Sequence, residues 1–506
     1  MHAHGREAAG GPAYARHRPE ETQLYRLVEQ YYPAFVAHLC EQGKALPAYV
    51  EHEFEAYLKC GRLEQGFLRV RCESCHFERL VAFSCKKRGF CPSCGARRMA
   101  ETAALLADEV LPALPLRQWV ISFPFALRFL FAARPDALAR SLTVIYRLLA
   151  THLAHKAGFR CKEAATGAVT LVQRFGSALN LNIHLHMLCL DGVYAPRPDG
   201  GLRFTRVKAP EREELEHLVQ QIAARLGRAL ERMGLLQRDS ESAWLDLPPG
   251  EDTDAMRQLI GSSVTYRIAV GPQAGRKALV LRTIRPLAGE EPRNERVAKA
   301  NGFSLHAGVS CEARQREVRE RLCRYVARPA VAEKRLTVNA QGKVVYLLTT
   351  PYRDGTTHVV FEPLDFIARL AALVPRPRVN QTRYHGVLAP NHRWRAAVTP
   401  AGRGRGKRVA AQPEKSTIER HVAMSWAQRL KRVFGIDVES CVRCGKAVWV
   451  AAPAHPCARG ISASLHVIAC IEEPALIERI LAHVRGKAGS DTAARGPPST
   501  GPPVSA

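Results

Sequence analysis

The chain has 506 residues, 46% of them apolar and 24% charged, which leaves room for two to four domains and excludes a wholly disordered or membrane-embedded protein. Lysine and arginine number 74 against 47 aspartates and glutamates, a formal net charge of +27. That excess draws the chain to polyanions, nucleic acid first, although an arginine-rich proteome would share part of the bias.

Fifteen cysteines, an odd number, argue against a closed disulfide framework and for metal sites in a reducing compartment. Met1–Gly11 is polar and reads as no secretory signal. The most apolar run, Trp119–Ala133, is broken by Pro124 and Arg128 and is too short to span a bilayer. A cytoplasmic, nucleoid-associated location without a membrane partner is the expectation.

Residues 1–20 read as disordered, and 21–60 as helices with Leu24, Leu27, Tyr31 and Phe35 at helical spacing. Cys72-x2-Cys75 and Cys91-x2-Cys94, fifteen residues apart, match a four-thiolate zinc site of structural or DNA-docking type. A redox pair is the competing reading. Lys86, Lys87, Arg88, Arg97 and Arg98 around them can meet phosphate. Cys60 and Cys85 read as buried thiols or alternative ligands. A short helix over 99–110 and a strand over Gln118–Phe123 follow. Asp136–Lys156 is an amphipathic helix, with Leu138, Leu142, Ile145 and Leu149 on one stripe and Gly158 just past its end.

Ala168–Phe175 and Asn182–Leu190 read as two strands around a Gly176–Leu181 loop. Side chains alternate between faces of a strand. Ile183, Leu185, Met187 and Cys189 therefore form an apolar face. Asn182, His184 and His186 share the other, with Leu188 beyond them. Two imidazoles on the polar face of a sheet suit a divalent metal; two solvated histidines on a half-exposed strand are the plain alternative. A simple hairpin would set Phe175 opposite Asn182, Gln173 opposite His184 and Leu171 opposite His186. Gln173 then becomes a third, oxygen ligand, with His306 as its rival, and Mg²⁺ or Mn²⁺ fits such a set.

Beyond 200, the periodicity predicts a charged helix over 211–235 and a strand pair at 264–270 and 277–284. A strand over Phe303–Val309 and a helix over Glu312–Arg328, stopped by Pro329, come next. Val318, Leu322 and Tyr325 share one stripe of that helix, which should face the sheet. Tyr325 there is either a core aromatic or a nucleophile flanked by Arg321, Arg324 and Arg328, which can hold phosphates. Strands Lys334–Val338 and Val344–Thr349 and a helix from Phe366 follow. Residues 401–415 form a basic linker, 416–485 a small C-terminal unit, and 486–506 a disordered tail. Cys441-x2-Cys444 is half of a zinc knuckle that His455, Cys457 or Cys470 could complete, or else an unmetallated turn. The fold class is α+β: a helical and zinc-binding domain over 21–110, then a central antiparallel sheet with flanking helices over 111–400, with an insertion around 200–300.

Five stretches together carry a resemblance: Phe83–Cys94, Ile121–Phe125, Phe175–His186, Arg321–Pro329 and Arg383–Asn391. Over about residues 25–480 the chain resembles the HUH-type rolling-circle transposases of bacterial insertion sequences, in the group with an N-terminal zinc-binding domain. The resemblance implies that His184 and His186 hold the catalytic metal and that Tyr325 is the nucleophile. Tyr325 would cut single-stranded DNA at the element ends and target, leaving a 5′-phosphotyrosine and a 3′-OH. Double-tyrosine relatives carry a second tyrosine four residues earlier, where this chain has Arg321; Tyr384 is a weaker candidate for that role. No G-x4-G-K-[ST] motif is present, so unwinding would fall to host replication or helicase machinery. A plasmid relaxase or replication initiator would share this chemistry. A zinc-dependent DNA-binding protein without catalysis is the reading from another class.

Overall fold

A computed structural model describes residues 18–239, 242–246, 254–286, 296–403, 441, 443–444 and 465–493. Most of the expected N-terminal disorder, the basic linker, His455, Cys457 and the end of the tail lie outside the described residues. The chain divides into two compact units. The larger comprises 23–55 and 87–423; the smaller takes in 56–86 and the described residues beyond 424. No helix among the described residues is long and apolar enough to cross a membrane.

The larger unit is built on a six-stranded antiparallel sheet. Its strands, in spatial order, are Val297–Ala300, Phe303–Cys311, Leu116–Ser122, Leu181–Leu190, Gly167–Phe175 and Thr382–Gly386. The histidine strand, Leu181–Leu190, is therefore central. Ile183, Leu185, Met187 and Cys189 are all buried, as the alternation requires. Helices Phe125–Ala133, Ala255–Val264 and Pro363–Leu373 touch the histidine strand. Trp119, on the neighbouring strand, meets His152 of the helix Pro135–Lys156 edge-on at 6.4 Å.

The opposite face is covered at one end only. Val169, Leu171, Leu188 and Leu190 pack there with Leu322, Cys323 and Val326 of the helix Arg316–Val326. Each buried leucine contributes about 2 kcal/mol. Arg319 of the same helix donates to the Pro112 carbonyl, and Arg316 pairs with Asp108 at 2.6 Å. The helix Pro92–Leu105 lies against the end of this helix. A Cβ on Gly95 would come within 2.6 Å of the Pro329 Cβ, so only glycine permits that approach.

Several elements differ from the sequence expectation. The helix expected over 99–110 begins at Pro92, where proline suits the first helical position. The expected strand pair of 264–270 with 277–284 is reduced to one antiparallel bridge, Arg267 with Lys277, flanked by the Ala278 N–H donating to the Tyr266 carbonyl at 2.9 Å. Residues Ala255–Val264 are helical, capped by Asp254, and Leu279–Arg282 pairs instead with Thr356–Phe361 in a four-stranded sheet. The glycines at 271 and 275, both at positive φ, form the turn between these two segments.

The smaller unit contains a hairpin, Phe67–Cys72 with Glu78–Ala82. Its third strand is Leu465–Ile471, which pairs antiparallel with Phe67–Cys72. The expected separate C-terminal unit is thereby corrected, because its strand completes a sheet begun near the N-terminus. Ile477 and Leu481 of the following helix, Pro474–Ala493, bury against Phe67 and Ile471.

One ion pair ties three strands behind the histidines. Buried Arg117 donates bidentately to Asp191 at 3.0 and 2.8 Å and to the Ala307 carbonyl at 2.9 Å. Removing one partner of such a pair leaves an uncompensated buried charge, at a cost of about 3–5 kcal/mol. Asp191→Ala is expected to lower the urea unfolding midpoint accordingly; a midpoint equal to that of the wild type contradicts this role.

Candidate active site

The strand register puts four polar side chains in one row across the open end of the sheet. Gln173 lies opposite His184, and His184 opposite Ser122, which in turn faces Ser304. Leu171 faces His186, as the hairpin reading required. Phe175 does not face Asn182; a bulge between Gln173 and Phe175 brings it opposite Leu181. His306 shares the row of His186 but two strands away, with Val120 between them. That is roughly 9–10 Å, whereas Gln173 is the immediate neighbour of His184.

The two imidazoles face each other, Nε2 to Nε2, at 3.2 Å. His184 Nδ1 donates to the Asn182 carbonyl at 2.9 Å, and Gln118 Nε2 donates to His186 Nδ1 at 2.5 Å. The Asn182 carbonyl fixes the proton of His184 on Nδ1, and with Gln118 Nε2 donating, His186 carries its proton on Nε2. Two nitrogens at right angles on an ion about 2.1 Å away stand roughly 3 Å apart, so the spacing suits a shared ion. Gln173 is buried; its Oε1 accepts from Arg328 and its amide nitrogen has no hydrogen-bond partner among the described residues, so an oxygen ligand to an ion would require Oε1 to turn from Arg328.

Burial brings His184 down to about 4, with Arg328 and Arg128 acting in the same direction against the Asn182 hydrogen bond. Burial, then His184 and Arg328, bring His186 down to about 3. Both rings are therefore neutral across the physiological range, as a metal ligand must be.

Tyr325 stands beside them. Its ring meets His186 edge-on, with centroids 5.8 Å apart. The helix does not bury the stripe Val318–Leu322–Tyr325. It buries Arg319, Leu322, Cys323 and Val326, while Val318 is 38% and Tyr325 48% exposed. Adjacent residues lie about 100° apart around a helix, so burial of 322 and 326 turns 325 to the rim. Arg328 spans the gap: its guanidinium carbon is 4.4 Å over the Tyr325 ring, and Nη2 is 3.5 Å from Gln173 Oε1. Arg324 is half-buried on the same helix, and Arg321 is exposed. Tyr384 packs against the Val169–Leu171 core, two residues beyond the partner of Leu171, with its hydroxyl pushed up by burial.

Next to Gln173 and Arg328 opens a cavity of about 270 Å³. Lys87, Arg88, Arg98 and Arg174 also line it, and no carboxylate does. These cations are held by backbone oxygens: Arg88 by Val379, Arg98 by Lys87, and Arg174 by Ala372 and Leu373. Burial and then the proximity of Arg98 lower Arg88; burial chiefly lowers Arg174, to about 10. Arg97 pairs instead with Glu101, and Lys86 belongs to the smaller unit.

The expected zinc quartet of Cys72, Cys75, Cys91 and Cys94 does not assemble as such. Cys72 and Cys75 come together with Cys441 and Cys444, all four sulfurs within 4.8 Å of one another. Cys91 and Cys94 lie in the larger unit, at the start of the helix Pro92–Leu105. Burial works against the Cys441 thiolate, but the N–H groups of Cys444 and Arg443 and the Cys75 thiol outweigh it and bring Cys441 down to about 7. Sequence spacing could not find this grouping, since the two knuckles stand hundreds of residues apart. Gln118 was missed as well; its only signal is that it sits on the same strand face as Val120 and Ser122.

Selective ¹⁵N-histidine labelling checks the imidazoles. His184 and His186 are expected to stay neutral on acidification through pH 6.5 and to protonate only near 4 and 3. Titration of either near 6.5 contradicts the burial described.

Two family models match the chain. One, described as "Transposase zinc-binding domain", spans residues 27–123; the other, described as "Putative transposase", spans 167–395. No curated protein and no solved structure gave a match. The chain thus matches a transposase zinc-binding domain of the IS91 type in its first part and a transposase domain after it.

Proposed function

We propose that this transposase nicks and rejoins single-stranded DNA through Tyr325, beside a divalent ion held by His184, His186 and Gln173. The observation that carries the reading is the edge-on approach of an exposed tyrosine ring to His186, on the open end of the histidine face. A buried tyrosine could not reach a polymer substrate; this one can.

Mg²⁺ or Mn²⁺ bound there would act as a Lewis acid on the scissile phosphate. The Tyr325 hydroxyl oxygen attacks phosphorus and gives up its proton. The bond from phosphorus to the 3′ oxygen breaks, and that oxygen leaves as a 3′-OH after gaining a proton. The product is a 5′-phosphotyrosine, and attack by a 3′-OH reverses the step without a nucleotide. Arg328, between Tyr325 and Gln173, meets the negative charge that builds on the phosphoryl oxygens. The cationic cavity alongside supports the same substrate class, since a lining of cations without a carboxylate seats a neighbouring phosphodiester of a single strand. Lys87, Arg88, Arg98 and Arg328 are thus retained as DNA-binding residues, with Arg324 on the tyrosine helix. With Arg321 in place of a second tyrosine, one protomer holds one cleaved end at a time.

Gln118 acts through His186. His186 would hold an ion as a neutral ring; its remaining proton would then sit on Nδ1, where the Gln118 side-chain amide would accept it. Labelled single strands from the two ends of the element, with Mn²⁺ or Mg²⁺, test the reaction. A denaturant-resistant adduct is expected, lost in Tyr325→Phe and with EDTA, and kept in Tyr384→Phe. Tight DNA binding without an adduct on any end sequence leaves a binding protein and sinks the nuclease reading. Calorimetric titration with Mn²⁺ tests Gln118: Gln118→Leu is expected to weaken binding about 10–100-fold, while Gln118→Glu, which can only accept, keeps it. Equal affinity in all three proteins rules out a positioning role.

A further inference from the structure

We infer that Cys72, Cys75, Cys441 and Cys444 hold one zinc ion that clasps the C-terminal segment onto the N-terminal cysteine hairpin. The geometry is that of a four-thiolate site. Cys72 and Cys444 sulfurs are 3.8 Å apart, and those of Cys75 and Cys441 3.5 Å. Four sulfurs tetrahedrally placed about 2.3 Å from zinc stand roughly 3.8 Å from one another. A disulfide would require about 2.05 Å between two of them. Each pair has the x2 spacing of a knuckle. In the first, the chain turns back at once: Cys72 N–H donates to Phe77 O at 2.9 Å, His76 N–H to Cys72 O at 2.8 Å, and His76 sits at φ 54°.

A second observation points the same way. Among the described residues, the sheet that these knuckles flank has a small buried core. Its buried apolar residues form two small groups, one of Phe67, Ile471, Ile477 and Leu481, the other of Val70 with Cys72 and Cys441. Cores of this size in small units generally need a metal or a disulfide. The strand Leu465–Ile471 starts opposite Cys72, so the ion sits at the end of the strand pairing that it would secure. Cys470 is exposed, with its thiol directed to Glu472, and takes no part. The pairing also divides the C-x2-C knuckles differently from their order in the chain. Cys72 and Cys75 take their partners from beyond the segment that matches the zinc-binding family model.

Zinc content per full-length chain, measured by mass spectrometry of the purified protein under reducing conditions, tests the assignment. Cys72→Ser/Cys75→Ser and Cys441→Ser/Cys444→Ser should each lose one equivalent relative to wild type. The quadruple variant should also lose one, because all four residues serve the same ion. Undiminished zinc in Cys441→Ser/Cys444→Ser, or two equivalents lost in the quadruple variant, overturns the proposal. Should a variant fail to fold, alkylation of the wild type decides. With zinc bound, the four thiols should resist iodoacetamide, and a chelator should expose all four at one rate. Alkylation of Cys441 and Cys444 at a rate indifferent to the chelator overturns it equally. Neither readout depends on DNA cleavage, so the clasp and the nuclease reading fail separately.

Discussion

A central antiparallel strand has two faces, and nearly everything in the larger unit follows from how Leu181–Leu190 uses them. One face is a run of wholly buried apolar side chains, so the strand cannot slip by one residue without burying both histidines on the wrong side. That register fixes the neighbours in turn. Gln173, Ser122 and Gln118 reach the histidines because antiparallel partners share a face. The helix carrying Tyr325 then covers only the apolar half of that face, through Leu322, Cys323 and Val326, and stops short of the polar row.

The electrostatics of the row are unusual in having no acid. Two imidazoles and an amide are all neutral, so an ion held by them keeps its whole charge. Arg328 adds another beside it, and the adjoining cavity has cations without a lining carboxylate. A site ligated by aspartates would neutralise much of its ion before substrate arrived. On the function proposed above, the missing negative charge would be supplied by a phosphodiester backbone. The same field keeps the histidines unprotonated, since burial and Arg328 act in the same direction on both.

How much of this was legible in the sequence depended on the range of the forces involved. The alternation around His184 and His186 is local, and the pairing of Gln173 with His184 needed only a short hairpin; both could be read. The bulge at Phe175 could not, because the extra residue leaves no trace in a two-residue period. Tyr325 was legible as a residue of interest, but the helical period alone gave the wrong buried stripe. What decides the stripe is that Leu322 and Cys323 join the same core as Leu171 and Leu188, which come from distant segments. The cysteines show the same limit more sharply. Spacing relates only near neighbours, so Cys91 and Cys94 looked like the natural partners of Cys72 and Cys75, and the pair from the far end of the chain was invisible.

The strand from the C-terminal segment has a consequence for synthesis. The hairpin Phe67–Ala82 leaves the ribosome long before Leu465–Ile471 exists to pair with it. At synthesis rates of about 5–20 residues per second, that interval is roughly 20–80 s. During it the hairpin has an open edge and two thiols without their partners. A nascent chain therefore holds this sheet incomplete until Leu465–Ile471 has been made, and one terminated before that strand never closes it.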